Sequence, residues 1–543
     1  MTESRSRWQQ FLSHASRSRS FLWRLVIAFV ATGVAVGAIL HTLRPAKSYL
    51  FGERVLARIG VAAHAGDPDA PLATGAADGL ADAFAEELAP ESLRFFDVLR
   101  SVPTLAPHVV AADFAALHTA LARRFDEPRA GLALDFFAAW QSVDEGAFAR
   151  LEQRAAQPAP LRFTRYAFGR VLMRHENFGA AFEMFAREGE ADDATESRYM
   201  AVRALVKAKD FARLELLLRD PRYAPYSSPG LALEAATESR RWAEMLRLIP
   251  AVQIDSYEPE LLLVSAVAGV TWALFLFHLG QVASPFSRTG LLCGSGLLAG
   301  VLSTTVTIFL VVVQDDVLGF REGTEIVHRF AYNIGGVGAR EELSKLLLFA
   351  PLILFLRKRD DELEVLTVAC FVGLGFAVEE NVSYFATSAA ASAPGRFLTA
   401  NFFHIALTGV NGLALYRACT RGMGGLNDLL LVFPLSILAH GAYDALLDLP
   451  QVERSEYFAM IAYVGFCFYF FSRARPLRAD RRTTVSLTGA FVTGVALVAA
   501  TVIAFQMATL GIKAGANLIF SELIGSAALL IVFFHEFDET LTA

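Results

Sequence analysis

From Leu261 onward the sequence is a succession of apolar segments, each about the length that crosses a bilayer. They fall at 261–280, 291–313, 334–356, 365–385, 397–417, 426–447, 457–471, 485–504 and 512–534. A further segment at 21–40 brings the total to about ten spans. Backbone polar groups in hydrocarbon have no water to bond, so segments of this length must be helices. The pattern predicts an all-α fold, a polytopic helical membrane bundle. Composition agrees: 54% of the 543 residues are hydrophobic and only 19% are charged, where soluble domains carry about 25% charged residues. A net charge of -6 gives no basic footprint and speaks against nucleic-acid binding. The cysteines, Cys293, Cys370, Cys419 and Cys467, have no CxxC spacing, which excludes a disulfide framework and a structural zinc finger.

Residues 1–20 form a polar, basic tail with Arg5, Arg7, Arg17 and Arg19, and 21–40 is a retained anchor, since no small-residue cleavage site ends it. Residues 41–258 change character: they are rich in Ala, Leu, Arg and Glu, and no apolar run there is long enough to span. Five aromatic positions recur, Phe114, Phe148, Phe178, Phe211 and Trp242, at spacings of 34, 30, 33 and 31. Each is followed by a helical pattern. A period near 34 fits helical-hairpin repeats of the tetratricopeptide kind in degenerate form, because the usual Trp, Gly and Pro landmarks are missing. Such a domain offers a binding surface for a protein or peptide partner rather than a catalytic centre. Residues 259–475 form a membrane core, and 476–543 carry the C-terminal spans.

Arginines ahead of the first span favour a cytoplasmic N-terminus. The helical domain is then extracytoplasmic. On that topology the cytoplasmic loops hold Arg288, Arg357, Lys358, Arg359, Arg421, Arg473, Arg475, Arg478, Arg481 and Arg482. The opposite side holds Arg321, Arg329, Arg340, Arg396, Arg454 and Lys513. The bias follows the positive-inside rule, while Arg44, Lys47, Arg54 and Arg58 run against it at the start of a long domain, where charge has little influence. The chain reads as an integral protein of a bacterial inner membrane.

Ionisable groups inside spans are costly and mark function. Here they are grouped: Glu341-Glu342-Leu-Ser-Lys345, then Glu379-Glu380-Asn381, then His404-x-x-x-Thr408, then His440-x-x-x-Asp444. The i,i+3 and i,i+4 spacings put Glu341 or Glu342 on one helix face with Lys345, and pair His404 with Thr408 and His440 with Asp444. Counting along consecutive spans of alternating direction places all four groups at one depth, in the extracytoplasmic half. A carboxylate in such a site can take a proton from water, and an imidazole can donate to a developing oxyanion. The same set could bind zinc, although an H-E-x-x-H helix is absent. A chain of Glu and His also serves proton-coupled transport. No inverted repeat of the kind transporters carry is visible between the spans. Glu522 stands alone in the last span, and Gly296, Gly300, Gly373 and Gly375 read as points of close helix approach.

The ordered set Glu341-Glu342-x-x-Lys345, Gly375-Phe376-x-x-x-Glu380-Asn381, His404-x-x-x-Thr408 and His440-x-x-x-Asp444 resembles the PrsW family of intramembrane proteases, relatives of the CAAX-processing and bacteriocin-processing membrane proteases. The resemblance covers about residues 260–475. It implies a peptidase acting on a membrane-associated protein, with anti-sigma factors as the substrate type. It also implies that Glu341 and Glu342 activate water and that Lys345, Glu380, His404, His440 and Asp444 complete the site; of the pair, Glu342 is expected to be the general base, with Glu341 able to pair with Lys345. Related enzymes have been described as both glutamic and metalloproteases. The glutamic reading, with no cofactor, is favoured because Lys345 already supplies a positive partner to the acidic pair. The alternative is a zinc protease with Glu380, His404 and His440 as ligands.

Overall fold

The computed structural model describes residues 7–43, 51–59 and 79–511, apart from 92, 142–144, 192–193, 324, 359, 389–391, 448, 450–454 and 479–485, together with Phe533. The expected last span at 512–534, Glu522 included, lies outside the described residues. Among those residues the regular elements are helices and helical turns, and eight helices are long and apolar enough to cross a membrane. The hydrophobic residues gather in two clusters. One runs from Phe51 to Ala235, the other from Leu261 to Phe533.

The first long helix, α1 (Arg19–Leu43), packs along the last described one, and its exposed face carries Trp23, Ile27 and Ile39. The helical domain follows. Phe114, Phe178, Phe211 and Trp242 each open a helix, Phe114–Arg124, Phe178–Gly189, Phe211–Leu218 and Trp242–Asp255, and Phe148 lies in the first turn of Glu145–Ala155. Between them run Glu127–Gln141, Thr164–Arg174, Thr195–Lys207 and Pro229–Glu238, so the aromatic period is the period of a helix pair. The turns repeat as well. Glu176, Lys209 and Arg240, each two residues before an aromatic, have φ of 58°, 57° and 54°. That left-handed conformation is uncommon outside glycine. Its recurrence marks one turn geometry used three times. Asn177 and Asp210 then cap the following helices by accepting from the backbone N–H of Ala180 and Arg213.

The last helix of this domain, α2 (Trp242–Asp255), leads through Tyr257 into α3 (Pro259–Leu279), and the chain continues in α4 (Arg288–Val312). The expected span at 334–356 is a broken rod. Ile326–Ala331 passes into a π-helical turn, Tyr332–Gly338, then α5 (Ala339–Phe349), a 3-10 turn at Ala350–Leu352 carrying Pro351, and Ile353–Leu356. The glycines of the π turn and the proline interrupt the i→i−4 ladder. Apolar composition alone gave no sign of the break. The rest is α6 (Glu362–Ser388), the short α7 (Ala393–Leu398), α8 (Ala400–Thr420), α9 (Met423–Leu447), α10 (Glu456–Ala474) and α11 (Leu487–Leu510).

Helices α6 and α8 form the centre, 83% and 89% buried along their apolar stretches, against 11% for α1. They are packed backbone to backbone. A Cβ at Gly375 would lie 2.0 Å from the Leu297 carbonyl oxygen of α4, and one at Gly373 would lie 2.2 Å from the His404 carbonyl oxygen of α8. Gly373 thus sets how close His404 comes to α6. At the far end of these helices Arg417 holds Glu362 at 2.7 Å and Asp428 at 3.0 Å, and Arg473 also reaches Asp428, so α6, α8, α9 and α10 are clamped there by charge.

Candidate active site

Four elements bring the seven sequence-derived residues into one cluster. Glu341, Glu342 and Lys345 come from the first turns of α5, Glu380 from the last third of α6, His404 from the start of α8, and His440 and Asp444 from the end of α9. A cavity of about 300 Å³ opens onto Glu341, Glu380, His404, His440 and Asp444, with Tyr384, Arg396, Phe403 and Tyr443 around them. Glu342 and Lys345 do not line it. They sit behind it, both with side chains 0% exposed.

The two adjacent glutamates have different surroundings. Glu342 is saturated: Lys345 Nζ donates to its Oε1 at 2.8 Å, His440 Nδ1 lies 3.0 Å from the same oxygen, and Asn411 Nδ2 donates to Oε2 at 3.1 Å. Glu341 Oε2 is buried with no hydrogen-bond partner among the described residues. It lies 3.5 Å from Lys345 Nζ and 3.6 Å from His440 Nε2. Of the two adjacent glutamates it is therefore the one that lines the cavity and has an oxygen that no hydrogen bond engages among the described residues.

The imidazoles are oriented from behind. Glu342 is an acceptor, so His440 Nδ1 carries the proton of that bond and Nε2 faces the cavity, 3.4 Å from Asp444 Oδ2. For His404 the partner is reversed. Lys345 Nζ lies 2.8 Å from Nδ1, and an ammonium flanked by two carboxylates only donates. Nδ1 therefore accepts, and the proton sits on Nε2, which donates to Glu380 Oε2 at 3.1 Å. Phe376, the aromatic of the Phe376-x-x-x-Glu380 motif, lies under both: Lys345 Nζ is 4.0 Å from its ring centroid and the His404 ring 5.1 Å away.

Some members of the site escaped the sequence reading. Arg396, counted there only as a loop charge, donates to Glu380 Oε2 at 2.6 Å and to Asn381 Oδ1 at 2.7 Å, and lies 3.7 Å from the centre of the Tyr384 ring. Asn381 in turn donates to Asn401 Oδ1 at 2.6 Å. Asn411 and Asn401 had a usable signal: they stand seven after and three before His404, on the same helical face. Arg396 had none, because it belongs to a short helix between spans. Thr408 is fully buried beside them, its hydroxyl without a hydrogen-bond partner among the described residues.

Residues 288–472 match the family model described as PrsW family intramembrane metalloprotease. The membrane core is thus similar to the PrsW family. No curated protein and no solved structure matches the chain. The match makes this core an intramembrane peptidase and the chain an integral membrane protein. It stops short of the helical domain.

The description of the PrsW family names a metal, and the cluster can be tested for one. Glu341, His404 and His440 each offer an atom within 4.8 Å of the others. Glu380, in the ligand set expected from sequence, is instead engaged by Arg396 and His404. Spacing thus suits an ion, and the protons do not. A ligating imidazole presents a lone pair at the metal and an N–H behind. His440 meets that condition with Glu342 behind it. His404 has the opposite arrangement, its Nδ1 lone pair taken by Lys345 and its cavity nitrogen protonated. The donor set as arranged does not fit a zinc ion.

Proposed function

We propose that this PrsW-type core hydrolyses a peptide bond of a membrane-embedded or membrane-anchored protein with a water activated by Glu341 and without a metal ion. The observation that carries the reading is the contrast between Glu341, which lines the cavity and has an oxygen without a hydrogen-bond partner among the described residues, and Glu342, with three partners. Glu341 takes a proton from the water, and the hydroxide oxygen bonds to the scissile carbonyl carbon. The carbonyl electrons move to its oxygen, which accepts a hydrogen bond from His404 Nε2–H. Lys345, donating to Nδ1, draws charge from the ring and makes Nε2–H a stronger donor. When the tetrahedral intermediate collapses, the C–N bond breaks and Glu341 returns its proton to the leaving amine. His440 and Asp444 flank Glu341 and hold it toward the cavity, and Glu380 orients His404 under the grip of Arg396. Removal of the general base costs about 10²–10⁴-fold.

The resemblance implies a substrate of the anti-sigma-factor type. The basic N-terminal tail and the loop charges support a bacterial inner-membrane location with the helical domain and the site on the extracytoplasmic side, where that domain meets a protein or peptide partner. The test is terminus-resolved proteomics of membranes from cells carrying the wild type or Glu341→Gln. The expected result is a truncated membrane protein present only with the wild type. Identical product patterns in the two strains would overturn the assignment.

A further inference from the structure

Glu379 is the one carboxylate of the Glu379-Glu380-Asn381 motif that the cavity does not contain. Successive helical residues point about 100° apart, so Glu380 faces the site and Glu379 faces away from it. Glu379 meets the stem by which the helical domain joins the core. Gln253 of α2 donates to Glu379 Oε1 at 2.9 Å, and the Tyr257 hydroxyl donates to the same oxygen at 3.2 Å. Gln253 is itself fixed to α4: its amide nitrogen lies 2.9 Å from Thr304 Oγ1, and its carbonyl accepts from Thr305 Oγ1 at 2.7 Å. The residue is 9% exposed. Burial, with the charge of Glu379 and the bond to it, pushes the Tyr257 hydroxyl up to about 12, so it remains a donor at any working pH.

Three consecutive residues of α6 are thus tied in two directions. Glu379 is tied to the stem, while Glu380 and Asn381 are both tied to α7 through Arg396 and to α8 through His404 and Asn401 respectively. A rotation or slide of α6 sufficient to release Glu379 carries Glu380 with it, since both ride on one rigid helical turn. Only the tie through Glu379 belongs to the helical domain.

We propose that Gln253 and Tyr257 are positioning residues of the peptidase site: the helical domain sets the register of α6 through Glu379 and so holds Glu380 against His404. A partner that shifts α2 would then change turnover without entering the cavity. The proposal rests on the peptidase reading, and its test keeps the two apart. The purified full chain in lipid nanodiscs is assayed on a synthetic transmembrane peptide spanning the Glu341-dependent cleavage site, with Glu341→Gln as control. Gln253→Leu and Glu379→Leu are expected to lower kcat about tenfold with KM within about twofold. Glu379→Gln keeps an acceptor oxygen for both donors and is expected to stay within about threefold of the wild type. Tyr257→Phe, which removes only a hydroxyl, gives a milder loss of kcat and covers the case in which a leucine variant fails to fold. Hydrogen–deuterium exchange, which needs no substrate, is expected to quicken at Glu380–Phe385 and in α7 of Glu379→Leu and to return to normal in Glu379→Gln. Wild-type kcat in the leucine variants, a change confined to KM, or unaltered exchange would overturn the proposal. Wild-type cleavage by Glu341→Gln would instead sink the assignment of Glu341 as the base, leaving exchange to decide whether the junction holds α6.

Discussion

Glu341 and Glu342 are neighbours in sequence, yet one has a cavity in front of it and the other a lysine, a histidine and an asparagine around it. Their conservative variants should therefore fail in different ways. Glu341→Gln removes a proton acceptor whose Oε2 makes no hydrogen bond among the described residues, so cleavage should fall by about 10²–10⁴-fold with the thermal midpoint preserved. Glu342→Gln strips the fully buried Lys345 of its nearest counter-charge, and breaking such a pair costs about 3–5 kcal/mol. Thermal unfolding in detergent or nanodiscs should separate the two variants. An unchanged midpoint for Glu342→Gln would contradict the roles assigned here. The proton arrangement on His404 has its own signature. Nitrogen-15 spectra of histidine-labelled protein should show it neutral with the proton on Nε2, and a proton on Nδ1 would remove the objection to a metal. The sequence pointed to the group as a whole and put the general base on Glu342, whereas the three buried partners of Glu342 favour Glu341 for that role. Adjacent residues on a helix differ only in which neighbours they meet, and those neighbours come from α8 and α9.

At the scale of elements, the central feature is the close approach of α4, α6 and α8. Gly375 has no room for a Cβ against the Leu297 carbonyl. Gly375→Val should force α4 and α6 apart, lowering stability by about 1–3 kcal/mol and turnover with it. A thermal midpoint equal to the wild type would show that the helices yield without strain. These glycines were legible as contact points because small residues let helix backbones meet. The broken rod at 326–356 was not. Its glycines and Pro351 permit a break, but where the π turn falls depends on packing against α9, which hydropathy does not carry. Arg396 was equally hidden. A loop arginine becomes part of the site only because α7 folds back over α6, which no periodicity announces.

For the whole molecule, the helical domain and the peptidase core are two hydrophobic clusters joined at Gln253 and Tyr257. The aromatic period near 34 was readable because each repeat opens its helix on the same residue type, but its place over the core depends on the stem and had no sequence signal. Orientation can be tested at Ser227→Cys in the domain: an impermeant thiol reagent applied to intact spheroplasts is expected to label it. Labelling only after lysis would put the domain and the site on the cytoplasmic side. The central claim is that Glu341 and the paired imidazoles hydrolyse a peptide bond without an ion. The most direct measurement is the cleavage rate of the purified chain after prolonged treatment with a strong zinc chelator, with metal content determined on the same sample. The account predicts an unchanged rate in protein stripped of metal. Loss of activity on chelation, with recovery on adding zinc, would contradict it and recast Glu341, His404 and His440 as ligands.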